Sequence, residues 1–280
     1  MNDQTPFLPK IEIGSWVSDF IDWVVASFGG FFEWLASFIQ GTVGGIESFF
    51  GLFHPFVFIL IIAAIAFWRS GKGVAIFTII GLYLIFNLGY WDDTLKTLAL
   101  VFSSVILSII IGVPFGVLVG LNDWAKQIIT PILDFMQTMP AFVYLIPMIF
   151  LFGIGMAPGV VATIIFSIPP TIRLTGLGIR QVPEDLMEAS QAFGSTTWQK
   201  LFKVQLPLSL PTIMAGINQT IMLALSMVVI ASLVGAPGLG EQVYLAVTQL
   251  RIDIGVESGL AIVIIAIVLD RISQNIAKQN

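Results

Sequence analysis

Apolar residues run in long blocks along this chain, and a few charged residues punctuate them. A charge at the centre of a spanning helix costs about 2.5 to 3.5 kcal/mol and a span needs ~20 mostly apolar residues, so uncharged intervals predict where helices cross a bilayer. One interval lies between Glu47 and Arg69, a second between Lys72 and Asp92, and a third between Lys96 and Asp123. The stretch from Asp134 to Arg173 is too long for one span. Gly153, Gly155, Pro158 and Gly159 interrupt it near its middle, which predicts two helices joined by a tight turn. After Lys203 the chain is uncharged as far as Glu241, enough for a span and a Gly/Pro loop at 235–240. Gly259 to Leu269 is strongly apolar but short, so a last span there must draw on flanking residues. The pattern predicts an all-α integral membrane protein with about seven transmembrane helices.

The first fifty residues follow a different rule. Ser15, Ser18, Asp19, Asp22, Ser27, Glu33, Ser37 and Gln40 recur at helical intervals, while Trp16, Phe20, Trp23, Phe31, Trp34 and Phe38 take the other side. Three acids disfavour a crossing here. Residues 1–51 are therefore expected to form an external amphipathic segment of one or two helices, hinged at Gly29–Gly30, with Trp and Phe at headgroup depth. The alternative is a tail packed on the outer ends of the spans.

Composition sharpens this picture. Of 280 residues, 57% are hydrophobic and only 10% charged, against about 25% charged in a typical soluble domain. With a mean hydropathy of +0.97, a water-soluble globule is excluded. The net charge of −5 argues against a nucleic-acid partner, which requires clustered cations. With no cysteine there are no disulfides, thiolate metal sites or cysteine nucleophiles. The one histidine, His54, precedes Pro55 at the head of an apolar run and reads as an interfacial cap. No basic, apolar and small-residue succession marks a cleaved signal peptide, so residue 1 is read as part of the working protein. If the segment around Arg180–Lys203 is cytoplasmic, nine of the 12 cations fall inside and 11 of the 17 acids outside. The positive-inside rule then predicts an external N-terminus and a cytoplasmic C-terminus.

That segment, 180–207, is the one long polar stretch between spans. Pro183 suits the start of a helix, with Glu184 and Asp185 at its positive end. Gly194 is a C′ residue that would end it, and Thr196 with Gln199 has the form of a capping box for a second short helix running into Leu206–Pro207. Leu186, Ala189 and Phe193 share one face of the first helix.

Here the residues acquire a resemblance. Glu188-Ala189-Ser190, three residues, Gly194, nine residues, then Val204-Gln205-Leu206-Pro207 resembles the EAA loop of bacterial ABC importer permeases. Serine at the third position and valine for isoleucine are mild departures. Segments 134–147, 192–197, 218–230 and 235–240 are similar to the glycine betaine/proline betaine importer permeases of the OpuA and ProW type. This resemblance covers most of the chain from Asp92 onward. It implies a five-helix type I importer core over 92–280, preceded by two accessory transmembrane helices over 52–91. It also implies a multi-pass permease of the bacterial cell membrane, paired with a second copy of itself. ATPase subunits would carry the ATP and Mg on the cytoplasmic side, a separate substrate-binding protein would stand outside, and this chain would hold no cofactor or catalytic residue. By the same resemblance, the helix carrying Glu188, Ala189 and Ser190 couples ATPase closure to the spans, with Gly194 at its turn and Val204, Leu206 and Pro207 completing the motif.

The pathway is written less plainly. Gly112, Gly116 and Gly120 form a small-residue series suited to tight helix packing. Pro140 and Pro147 are expected to break or kink their span, as is Pro169–Pro170 in the next. Aromatic faces can hold a quaternary ammonium solute, which makes Phe142 and Tyr144, beside Pro140 and Pro147, candidates for the pathway, with core packing as the competing reading. Asp134 and Arg173 read as an ion pair or as snorkelling residues, and Asn218 and Gln219 as interhelical glue. The 235–240 loop lacks the Gly-Lys-Ser/Thr ending of a phosphate loop and reads as an outer turn or gate. A stand-alone secondary transporter or channel is the rival class; it calls for ionisable groups near the midplane, and the uncharged intervals contain none.

Overall fold

The structure, a computed structural model, describes residues 12–276, and among them every regular element is helical. α1 (Ile13–Gly51) leaves helical geometry at Phe28, one residue before the expected glycine hinge. Its aromatic side, with Trp16, Phe20, Trp23, Phe31, Trp34 and Phe38, is exposed as the periodicity predicts. The second half also has an inward side. Ile39 and Val43 are buried among Ala99, Leu100, Ala157 and Val160, small and branched residues of other helices whose approach no local pattern encodes. The segment is thus a surface helix in its first half and part of the core in its second.

α2 (Pro55–Ser70) turns away from α1 by 98°. Its N-cap is His54, whose carbonyl accepts the N–H groups of Val57 and Phe58, and whose ring stacks on Phe56. α3 (Lys72–Asn87) returns beside it. α4 (Trp91–Leu121), α7 (Met156–Arg180) and α12 (Ile252–Ile276) are long spans. α12 recruits residues on both sides of 259–269, as the short apolar run required. Between α4 and α7 lie α5 (Asp123–Thr138) and α6 (Ala141–Phe152), bent against each other by 101° at Met139–Pro140. The pattern had placed a helix from about Asp134; instead Asn122 caps α5 through Trp124 and Ala125, and Pro140 opens the next helix at its N-cap. α8 (Glu184–Ala192) and α9 (Thr197–Lys200) follow, then a π-turn at Leu201–Gln205 that continues into α10 (Leu206–Ser232). α11 (Leu239–Thr248) closes the set. Among the described residues four helices are long and apolar enough to cross a membrane alone and the two bent pairs raise this to six, against the seven expected; α3, apolar but only 16 residues long, falls short of that length.

The largest apolar cluster joins α2, α3, α4, α10 and α12 around Leu82, Ile85, Leu98, Leu225 and Ile265, and the closest helix packing is a three-helix seam. α7 lies between α4 and α10 and packs on both. A Cβ on Gly112 would stand 2.9 Å from Thr171 Cγ2, one on Gly116 2.4 Å from Thr175 Cβ, and one on Gly120 2.8 Å from Ile179 Cβ. The glycine series therefore packs helix on helix, turn by turn. Hydroxyls fill the same seam: Thr171 and Thr220 share a hydrogen bond of 2.7 Å, and Thr220 also donates to the Ser167 carbonyl at 2.8 Å. Pro169 and Pro170 sit within α7, which runs unbroken past them.

Candidate coupling site

The polar segment folds as its sequence suggests. Pro183 takes the N-cap of α8 rather than its first turn, and Glu184 and Asp185 follow at the positive end of the helix. The helix stops at Phe193. Gly194 has φ +73°, its N–H donates to the Gln191 carbonyl, and the Ser195 N–H reaches back to Ser190, the paired bonds of a Schellman ending. Thr196 then opens α9 with a complete capping box: its hydroxyl accepts the Gln199 N–H, and the Gln199 side chain accepts the Thr196 N–H at 2.8 Å. The second helix does not end at Leu206–Pro207. It passes through the π-turn into α10, so α9 and the span are one continuous rod. Pro207 carries no N–H for an i−4 bond, which suits a wider turn at this point.

No residue of α8 is buried. Glu188 and Ala189 are exposed, and Ser190 is half-buried, donating to the Met187 carbonyl. Glu188 has no ion-pair partner among the described residues. Phe193 is 91% exposed and Trp198 70%, the latter stacked on Phe202. Capped at its Gly194 end alone, the helix presents a small residue, an acid without an ion-pair partner among the described residues and neighbouring aromatic side chains on its exposed surface. Val204 is half-buried, Leu206 is half-buried and Pro207 is exposed.

Two ion pairs fix the approach to this loop. Arg180, the last residue of α7, binds Asp123 at 2.6 Å and donates twice to the Val119 carbonyl near the end of α4. Sequence reading missed this pair; Asp123 beside the helix cap Asn122 was its signal. Arg173 pairs with Asp134 and joins α5 to α7. Asn218 donates to Asp270 and accepts from Ser273, so it joins α10 to α12. Of the pathway candidates, Pro140 marks the α5–α6 bend and Pro147 lies within α6. Phe142 is exposed, whereas Tyr144 is buried, packs on Phe166 and donates its hydroxyl to the Met136 carbonyl across the bend.

Residues 112–279 match the family described as the binding-protein-dependent transport system inner membrane component. The chain belongs to that family. Among its relatives, the glycine betaine transport system permease protein OpuAB of Bacillus subtilis is 59% identical, covering 96% of this chain and 95% of the relative. GbuB of Listeria monocytogenes, a glycine betaine/carnitine transport permease protein, is 51% identical over 98% of each chain. ProW of Escherichia coli, a glycine betaine/proline betaine permease protein, is 48% identical over 96% of this chain and 76% of its own. In fold, the chain resembles a structure of the MetNI methionine ABC transporter, with a TM-score of 0.61 at 24% identity over 65% of this chain and 92% of the other. The matched region contains α5 to α12, the 180–207 loop and the glycine series of α4. Permease subunits of this family are membrane components, and this chain is one of them.

Proposed function

We propose that this chain is the permease of an ATP-driven importer for glycine betaine or a related compatible solute, coupled to its ATPase through the 180–207 loop. The observation that carries the coupling is the unburied α8, capped at its Gly194 end and joined through α9 and the π-turn to the 27-residue α10. A push on this loop is delivered to a rigid span, and Arg180 passes it to α4 and α7. Glu188 and Ala189 offer an acceptor and a close-approach surface to an ATPase cleft, and Ser190, Gly194, Val204, Leu206 and Pro207 hold that surface in place. ATP and Mg belong to the ATPase partner. The solute class is supported by the names of relatives at 48–59% identity.

In this reading the loop is cytoplasmic, the N-terminus external, and the partners are two ATPase subunits, an external binding protein and a second copy of this chain. Of the external amphipathic segment assigned to 1–51 the described residues cover 12–51, 52–91 form the accessory hairpin, and of the importer core assigned to 92–280 they cover 92–276; residues 1–11 and 277–280 lie outside the described residues. Phe142, exposed beside the α5–α6 bend, faces the route, with Pro140 and Pro147 shaping the bend and Tyr144 bracing it. Betaine uptake into vesicles carrying the complex, with and without binding protein and ATP, tests the function. Glu188→Lys or Gly194→Asp is expected to leave the chain inserted in the membrane and to abolish ATP-dependent uptake. Uptake at the unmodified rate in both variants would reject the coupling role.

A further inference from the structure

We infer that Asp93 and Thr97, at the start of α4, latch the gate at the end of the molecule opposite the coupling loop, by capping α11 from a neighbouring helix. The inference rests on the importer reading above and names residues that position its outer gate. α11 begins after Gly238, which has no side chain to cap it. The cap comes from α4. Thr97 Oγ1 accepts the Leu239 N–H at 2.8 Å, and Asp93, one turn earlier, accepts from Gln242 Nε2 at 2.9 Å, placing a carboxylate by the positive end of α11.

The backbone is shaped for this approach. Gly238 has φ +123°, and a Cβ there would stand 2.5 Å from Thr97 Oγ1; a Cβ on Gly240 would stand 2.3 Å from the Val228 carbonyl oxygen of α10. The same segment holds α7, because the Gly155 N–H donates to the Val234 carbonyl at 2.7 Å. Residues 234–242 thus tie the far ends of α4, α7 and α10 together.

A helix whose first donor is satisfied only by a neighbour has two arrangements: docked and capped, or withdrawn with that donor open to water. Asp93 is equipped for both, since Lys96 lies 3.8 Å away on its own helix and can hold the carboxylate once Gln242 leaves. The Thr94 hydroxyl beside it is buried without a partner in the docked arrangement.

The chain has no cysteine, so Asp93→Cys with Gln242→Cys supplies the only thiols of the permease. In the complete transporter in vesicles, joining them with a short reducible crosslinker is expected to lower uptake at least tenfold, and reductant to restore the rate of the untreated pair. Thr97→Val, which keeps the shape and removes the acceptor, is expected to raise ATP hydrolysis without binding protein at least threefold, and Thr97→Ser to return it to the original level. A crosslinked complex that transports at the untreated rate, or Thr97→Val with unchanged hydrolysis, would overturn the latch. Absence of betaine uptake by the unmodified complex would count against the importer reading instead, and the hydrolysis of Thr97→Val would still decide the latch.

Discussion

Gly116 and Gly194 are the same residue under opposite constraints. At Gly116 the backbone is helical and the space is closed: a Cβ would meet Thr175 Cβ at 2.4 Å and the Ile172 carbonyl oxygen at 2.8 Å. At Gly194 the space is open, with nothing within 4 Å, and only φ +73° demands glycine. The difference separates the two regions that contain them. The α4–α7–α10 seam is stabilised by what touches it within the chain, whereas the 180–207 loop is shaped by its own caps and leaves α8 uncovered. Arg180 stands at their junction, bonded to both Val119 and Asp123.

Placing a side chain in the seam is the harshest test of this contrast. Gly116→Val drives a Cβ and two methyl groups against α7, where backbone as well as side chain must yield. Overpacking of this kind costs about 3 kcal/mol or more. The expected result is little folded protein in the membrane and an aggregated profile on size exclusion in detergent. A monodisperse variant melting within a degree or so of the original would show that the seam gives way and would erase the distinction.

The same operation at Gly194 should separate stability from function. Gly194→Ala meets no neighbour, but a left-handed conformation costs an alanine about 1–2 kcal/mol. That free energy corresponds to roughly a tenfold fall in the population of the loop geometry. Thermal melting should stay unchanged while ATP-dependent uptake drops by about that factor. Loss of folded protein in this variant would mean that the loop supports the fold after all.

The two regions also differ in how legible they were. The loop could be read almost residue by residue, because caps, turns and a helix stop are local events: Gly194 at C′ and the Thr196–Gln199 box follow from neighbours in sequence. The glycine series of α4 announced tight packing, yet its partners Thr171, Thr175 and Ile179 were not predictable, since register between helices is decided by shapes far apart in the chain. Charge gaps found the apolar segments and Pro140 marked the bend at Met139–Pro140, but neither located the amphipathic helix before it. α5 escaped because its apolar positions Trp124, Ile128, Ile132 and Phe135 share a helix with Asp123, Lys126 and Asp134. The capping of α11 by Thr97 links residues 142 positions apart and left no trace in local pattern.

The smallest change probes the loop alone. Thr196→Ala removes the hydroxyl that accepts the Gln199 N–H and leaves the reciprocal bond from the Thr196 N–H to the Gln199 side chain in place. Losing one cap acceptor costs about 1 kcal/mol at a helix N-terminus. Because α9 runs without interruption into the π-turn and α10, that cost can be met by fraying a single turn. Amide exchange should therefore quicken about fivefold at Thr197–Gln199, with no change in the seam around Thr171 and Thr220. Faster exchange reaching α10 would mean that loop and span unfold together, and the rod that carries the coupling would then be one cooperative unit with the core rather than a lever attached to it.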